Sequence, residues 1–132
     1  MHETKKIDVL VVDDMADAAH SLALLLEADG YEARVALSGE EAMAALQQYQ
    51  PLCVFLDFQM PGMDGLELAR QIKQQFGDDV ILVAVTGMAE SNARVAEAFA
   101  VVDHYFIKPI PQAELRKIFP PKTGAGSEAD PG

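Results

Sequence analysis

Five polar residues of the chain have side chains that could together transfer a phosphoryl group to a carboxylate. They are Asp13, Asp14, Asp57, Thr86 and Lys108. Three carboxylates held close together would repel one another, so either the pKa of one of the carboxyl groups rises or a cation binds to them. Mg²⁺ prefers oxygen ligands of this kind. A carboxylate can attack phosphorus to form an acyl phosphate, a transfer that needs positioning and charge neutralisation more than acid–base catalysis. Lys108 would neutralise charge, and Thr86 would offer its hydroxyl to a phosphoryl oxygen.

Each of these residues stands at or just beyond the end of an apolar segment typical of a buried strand. The predicted strands are Ile7 to Val12, Tyr31 to Leu37, Leu52 to Leu56, Val80 to Val85 and His104 to Ile107. The predicted helices are Met15 to Asp29, Ser38 to Gln48, Leu66 to Phe76, Ser91 to Ala100 and Gln112 to Phe119. Regular alternation of strand and helix requires parallel strands with right-handed crossovers, so we predict an α/β fold with a doubly wound five-stranded sheet and helices on both faces. Its ligand site should lie beyond the carboxyl ends of the strands.

Two local signals support these helix limits. Gly30 is a stop signal for the first helix, and Ser38 with Glu41 three residues later forms the pattern of a capping box. The last helix ends before Pro120, because proline cannot continue a helix.

Composition limits the possible functions. The 132 residues fit one domain, and the net charge of −11 with no basic cluster argues against direct nucleic-acid binding. Neither a signal peptide nor a run long enough to span a bilayer is present in the sequence, which favours the cytoplasm. We predict a flexible N-terminus at residues 1–6, a folded domain at 7–119 and a flexible tail or linker at 120–132. Cys53, the one cysteine, lies in an apolar run and is predicted to fill the core.

Five motifs resemble those of response-regulator receiver domains of two-component systems, in the same order, over residues 7 to 119. The motifs are Val11-Val12-Asp13-Asp14, Leu56-Asp57 followed by Met60-Pro61-Gly62-Met63-Asp64-Gly65, Val85-Thr86-Gly87, Asp103-His104-Tyr105 and Ile107-Lys108-Pro109-Ile110. Each is weak alone, but their order and their places at strand ends make the set specific. The resemblance implies a flavodoxin-like sheet with strand order 2-1-3-4-5.

The resemblance also implies roles for the site residues. Asp57 would take a phosphoryl group from a histidine kinase or a histidine phosphotransfer protein. Asp14, Asp57 and the carbonyl of Gln59 would bind Mg²⁺, or Mn²⁺ in its place, directly, and Asp13 would contact the ion through water. Such a domain catalyses its own phosphorylation and dephosphorylation and is not a turnover enzyme on external substrates.

A switch and an output surface follow from the same resemblance. Tyr105 would turn inward as Thr86 moves toward it. The surface formed by the fourth helix, fifth strand and fifth helix would bind an output partner that the sequence does not identify. The bond between Lys108 and Pro109 would be cis and would aim Lys108 at the site.

The sequence departs from the family pattern at several positions. The segment before the last strand, Ala98 to Val102, has no glycine, so the turn there is predicted to be remodelled. Gln59 and Met88 flank the expected position of an attacking water; Gln59 could orient it and Met88 could not. We therefore predict intermediate self-dephosphorylation.

Other interpretations remain open at this point. Asp13 and Asp14 could be only N-caps of the first helix, and Tyr105 could be a half-buried strand aromatic without a switching role. The chain could also be a receiver-like binding module that is never phosphorylated. A phosphatase with an aspartyl nucleophile is disfavoured, because its second acid would stand where Gln59 is found.

Overall fold

The computed structural model describes residues 5–58, 65–86, 100–108 and 110–122. Within these ranges the strands are β1 (Lys5–Val12), β2 (Ala33–Ala36), β3 (Tyr49–Asp57), β4 (Ile81–Thr86) and β5 (His104–Ile107). The helices are α1 (Ala16–Ala28), α2 (Gly39–Gln48), α3 (Gly65–Phe76) and a last helix (Gln112–Ile118), with a 3₁₀ turn at Gly77–Asp79. The predicted helix from Ser91 to Ala100 lies outside the described residues except for Ala100, which is helical.

All five strands pair in parallel in one sheet. Their order is β2-β1-β3-β4-β5, so the predicted doubly wound sheet and its strand order are confirmed. At the centre of the sheet Val12 of β1 is opposite Leu56 of β3. The acids that follow these two residues, Asp13 and Asp57, therefore reach the same edge side by side.

The sheet separates two buried cores, because alternate residues of a strand point to opposite faces. In β1, Val9 and Val11 join the core beneath α1 and the last helix, whereas Leu10 and Val12 join the core beneath α2 and α3. The first core includes Ala19, Leu26, Leu115 and Phe119, and the second includes Ala42, Leu46, Leu68, Ala69 and Ile72. Coverage on both faces explains why the central strands are continuously apolar rather than alternating.

The end of α1 and the start of α2 follow the local signals of the sequence. Gly30 adopts φ +98°, a conformation that glycine tolerates, and its N–H donates to the carbonyl of Glu27 at 3.0 Å. Ser38 Oγ accepts a hydrogen bond from the N–H of Glu41 at 3.0 Å. In a capping box the Glu41 side chain would also accept a hydrogen bond from the N–H of Ser38. Here Glu41 Oε1 instead accepts from the N–H of the preceding residue, Leu37, at 2.8 Å.

Strand β3 begins at Tyr49, earlier than the predicted Leu52. The added residues extend the ladder with β1, in which Lys5 is opposite Tyr49, whereas β4 joins β3 only from Cys53 onward. Pro51 thus lies in a part of β3 that has no β4 neighbour, where a missing N–H is tolerated. No helix in the described part of the chain is long and apolar enough to cross a membrane.

Candidate functional site

Three carboxylates meet at the carboxyl edge of the sheet. Asp13 and Asp14 follow β1, and Asp57 ends β3; each offers a carboxylate oxygen within 4.8 Å of the others. The side chains of Asp13 and Asp57 are only 7% and 5% exposed, whereas Asp14 is exposed. The parallel order of the strands thus brings together the three acids that the sequence predicts to meet.

Lys108 supplies positive charge to this cluster from the end of β5. Its Nζ lies 2.8 Å from Asp13 Oδ2 and 3.4 Å from Asp57 Oδ2. Burial alone would lower the pKa of Lys108, but the hydrogen bond to Asp13 and the charges of Asp57 and Asp13 outweigh it, so the pKa is raised. Lys108 is therefore an ammonium ion at neutral pH. In formal charges, one ammonium against three carboxylates leaves −2 among these four residues, which favours a bound cation.

Asp13 is held by a local turn and is not the N-cap of α1. Its Oδ1 accepts a hydrogen bond from the N–H of Met15 at 3.0 Å, which leaves Oδ2 for Lys108. The N-cap of α1 is Met15, and it makes no side-chain capping bond. The alternative that Asp13 and Asp14 serve only as helix caps is therefore not supported.

Thr86 is the last residue of β4, and Tyr105 lies in β5 two residues before that strand ends. Thr86 is fully buried at the end of β4, and its carbonyl accepts a hydrogen bond from the N–H of Lys108 at 2.7 Å. This bond fixes the backbone of Lys108 beside β4. Tyr105 is half-buried in β5 opposite Ala84.

Two residues near Asp57 were missed as site residues in the sequence. The Phe58 ring packs edge-on against that of Tyr105, with centroids 6.5 Å apart, and so connects the residue after Asp57 with the predicted switch. At Gly65 an added Cβ would lie 2.7 Å from Phe58 Cα and 3.0 Å from the Asp57 carbonyl oxygen. The only sequence signal for these contacts was the glycine at the end of the loop motif.

An apolar cleft of about 250 Å³ borders the acidic site, and it was also not predicted. Its lining includes Leu22, Leu25, Val85, Ile110, Asp13, Asp57 and Lys108. Leu25 is partly exposed although it belongs to the apolar stripe of α1. The polar site therefore adjoins an apolar surface between α1 and the start of the last helix.

Several predicted residues lie outside the described part of the chain. They are Gln59, Gly87, Met88 and Pro109, together with the loop motif from Met60 to Asp64. The metal ligand at Gln59 and the cis bond before Pro109 stay predictions. Cys53 is fully buried, and burial raises the pKa of its thiol well above the ordinary value, as expected of a core residue.

Residues 9–119 match the family model described as the response regulator receiver domain. The chain belongs to this family. Among curated relatives, the receiver is 37% identical over 109 residues to the response regulator MprA of Mycolicibacterium vanbaalenii, covering 83% of this chain and 47% of that protein. It is 34% identical over 115 residues to the transcriptional regulatory protein ResD of Bacillus subtilis, covering 87% and 47%. The chain thus spans about half the length of these relatives.

Solved receiver structures share the fold. A CheY-like receiver domain protein from Methanospirillum hungatei superposes with a TM-score of 0.76 at 27% identity, covering 88% of this chain and 90% of that one. The receiver domain of NtrX from Brucella abortus gives a TM-score of 0.76 at 31% identity, covering 84% and 93%. The resemblance found in the sequence is confirmed at the level of family and fold.

Proposed function

We propose that this receiver accepts a phosphoryl group on Asp57 from a histidine kinase or a histidine phosphotransfer protein. The observation that carries the proposal is the position of the buried Asp57 carboxylate, which lies within 4.8 Å of carboxylate oxygens of Asp13 and Asp14 and 3.4 Å from Lys108 Nζ. The proposed reaction takes place in the cytoplasm, as the sequence predicts.

In the transfer, an oxygen of Asp57 forms a bond to phosphorus while the bond from phosphorus to the donor's imidazole nitrogen breaks. The electron pair of the broken bond stays on that nitrogen. The developing charge lies on the equatorial phosphoryl oxygens, so positioned cations and donors accelerate the step. The ammonium of Lys108, which lies beside Asp57, would neutralise part of this charge. The hydroxyl of Thr86 is proposed to donate a hydrogen bond to a phosphoryl oxygen.

The acids fit a hard divalent cation. Their oxygens lie within 4.8 Å of one another, they carry excess negative charge, and the exposed Asp14 leaves a side open to solvent. Mg²⁺ commonly combines one or two carboxylates with phosphate oxygens and waters. We propose that Asp14, Asp57 and the Gln59 carbonyl bind it directly, that Asp13 does so through water, and that Mn²⁺ can substitute. When bound, the ion neutralises phosphoryl charge.

We propose the apolar cleft as the surface that binds the phosphodonor. It contains Leu22 and Leu25 of α1 and Ile110, and it includes Asp57 in its lining. A donor protein that places its histidine at Asp57 could bury apolar side chains there. Apolar burial would then supply affinity, while the charged site would set the position of the reacting group.

We further propose that phosphorylation is read out through Tyr105. Its ring contacts Phe58, the residue after Asp57, and β5 also presents Ile107 with 49% of its surface exposed. A rearrangement at Asp57 and Thr86 would change the packing of Tyr105. The output partner would bind the surface of the predicted fourth helix, β5 and the last helix.

Loss of the phosphoryl group would occur by attack of water on phosphorus. We propose that Gln59 orients this water and that Met88 does not, which gives an intermediate lifetime. A Gln59→Ala variant should lose its phosphoryl group more slowly, as followed by intact mass after the donor is removed. An unchanged rate would defeat this role of Gln59.

The proposed acceptor chemistry is tested by intact-protein mass after incubation with acetyl phosphate. We expect one phosphoryl adduct with Mg²⁺ present, and none with EDTA or in Asp57→Asn. Asp17→Asn, a change of an exposed acid on α1, is the matched control and should be labelled like the wild type. If no adduct forms although Mg²⁺ still binds, the chain is instead an unphosphorylated binding module.

A further inference from the structure

The residues that follow the last helix pack against the corner where α1 ends and the chain turns into β2. We call this site the α1–β2 corner and define it by Asp8, Asp29, Gly30 and Tyr31. The N–H of Lys122 donates to the carbonyl of Asp29 at 2.7 Å. The hydroxyl of Tyr31 donates to the carbonyl of Pro120. Two hydrogen bonds therefore hold the backbone of the Pro120–Lys122 segment against the corner.

The side chain of Lys122 adds two contacts with the same corner. Its Nζ lies 2.9 Å from Asp8 Oδ2 and 5.0 Å from the centre of the Tyr31 ring. Burial would raise the pKa of Asp8, but hydrogen bonds from the N–H of Glu32 and from Lys122 lower it below the ordinary value. Asp8 is therefore a carboxylate at neutral pH and attracts the ammonium.

Gly30 makes room for Lys122. A Cβ built on Gly30 would lie 2.9 Å from Lys122 Cβ, closer than real Cβ contacts. The aliphatic stem of Lys122 thus occupies the space that the absent side chain leaves. Lys122 and the α1–β2 corner are therefore complementary in shape as well as in charge.

The last helix is attached to the same corner. Arg116 donates two hydrogen bonds to the Asp29 carboxylate, at 3.0 and 2.8 Å. The Phe119 ring packs edge-on against Tyr31, with centroids 5.5 Å apart. A helix of seven residues is too short to be stable by its own hydrogen bonds, so it depends on contacts such as these.

We propose that the α1–β2 corner is a docking site for the chain's own Pro120–Lys122 segment and that this contact latches the last helix to α1. Asp8 lies five residues before Asp13 in the sequence, or about 16 Å along an extended strand. The corner therefore lies away from the carboxyl edge that holds Asp57. This role is independent of the proposed phosphoryl transfer.

Trypsin digestion of the full 132-residue chain tests the latch. Cleavage between Lys122 and Thr123 requires the Lys122 side chain to leave Asp8, so its rate follows the population of the released segment. In Asp8→Asn and in Tyr31→Phe we expect this cleavage to be about two- to five-fold faster. Cleavage after Arg70 and Lys73 in α3, followed by mass in the same digest, reports opening of the whole domain and should not change.

Glu40→Gln, a carboxylate-to-amide change at an exposed position of α2, is the matched control and should digest like the wild type. Wild-type rates at Lys122 in both variants would overturn the proposal, because the segment would then not be held by the corner. Equal acceleration at Lys122 and at the α3 sites would also overturn it, because the variants would then act on global stability.

Discussion

The ammonium of Lys108 lies 2.8 Å from the carboxylate of Asp13, although 95 residues separate them in the sequence. The contact exists because β1 and β5 are parallel members of one sheet whose carboxyl ends share an edge. It gives the buried acid a cationic partner and leaves Lys108 within 3.4 Å of Asp57. The proposed phosphoryl transfer would use the same ammonium that pairs with Asp13 in this structure.

Removing this ammonium should slow phosphorylation strongly. In Lys108→Met we expect the rate of labelling by acetyl phosphate to fall on the order of 100-fold. The reason is that the variant lacks the positioned ammonium that would stabilise the negative charge of the transition state. The acids remain, so Mg²⁺ should still raise the thermal unfolding temperature. Lys117→Met, which removes an exposed ammonium on the last helix, is the control. Labelling of Lys108→Met at the wild-type rate would show that Lys108 does not neutralise phosphoryl charge.

Gly65 is predicted to be required for the position of Asp57. In Gly65→Ala the new methyl would meet backbone atoms of Phe58 and Asp57, so α3 or the end of β3 must move. We expect a loss of about 1 to 3 kcal/mol in the free energy of unfolding, with slower labelling of Asp57. Urea unfolding and acetyl phosphate labelling measure the two effects.

Gly77→Ala is the control for Gly65→Ala, because it introduces backbone strain without steric overlap. Gly77 has φ +60°, but an added Cβ would meet nothing within 4 Å. This variant should lose about 1 to 2 kcal/mol of stability through strain while Asp57 is labelled at the wild-type rate. If the two glycine variants were labelled equally fast, close approach at Gly65 would not control the site.

Asp103 is predicted to stabilise the start of β4. Its Oδ2 accepts a hydrogen bond from the N–H of Leu82 at 2.8 Å, and its own N–H donates to the carbonyl of Leu82 at 2.8 Å. Asp103→Ala would leave the buried N–H of Leu82 without this acceptor and should cost about 1 to 3 kcal/mol in urea unfolding. Asp103→Asn keeps an acceptor oxygen and should recover most of the loss. Equal losses in both variants would contradict the role of this bond.

The sequence predicted the fold and the carboxyl edge because both depend on patterns along the chain. Buried parallel strands are continuous apolar runs, and each run that ended in Asp13, Asp57 or Thr86 marked the same edge. The acids and Lys108 lie close together because the strands that carry them are parallel and end at the same edge of the sheet. The roles of these residues in phosphoryl transfer stay predictions.

Contacts that depend on the direction of a side chain could not be predicted in the same way. The pairs Phe58 with Tyr105 and Lys122 with Asp8 join residues far apart in the sequence, and no periodic pattern relates them. The early start of β3 was missed because Pro51 disfavours a strand, and only the extension of β1 to Lys5 provides its partner.

The ion pair between Asp29 and Arg116 should make stability depend on pH in acid. The hydrogen bonds from Arg116 lower the pKa of Asp29 below its ordinary value of 3.8, although burial acts in the opposite direction. A carboxyl with a lowered pKa in the folded state stabilises the fold above its unfolded pKa, and this stabilisation is lost as pH falls through the folded pKa. The wild type should therefore lose the contribution of this pair progressively below about pH 4.

Arg116→Met tests this dependence by urea unfolding at a series of pH values. The variant should have a lower urea midpoint than the wild type at neutral pH, and the difference between the two curves should shrink as pH falls below about 4 and through the lowered pKa of Asp29 in the folded wild type. Lys117→Met changes the neighbouring residue, which pairs with Glu114 at the surface, and should follow the wild-type curve. A constant difference between Arg116→Met and the wild type down to about pH 2 would mean that Arg116 stabilises the last helix by packing, because protonation of Asp29 would then have no effect.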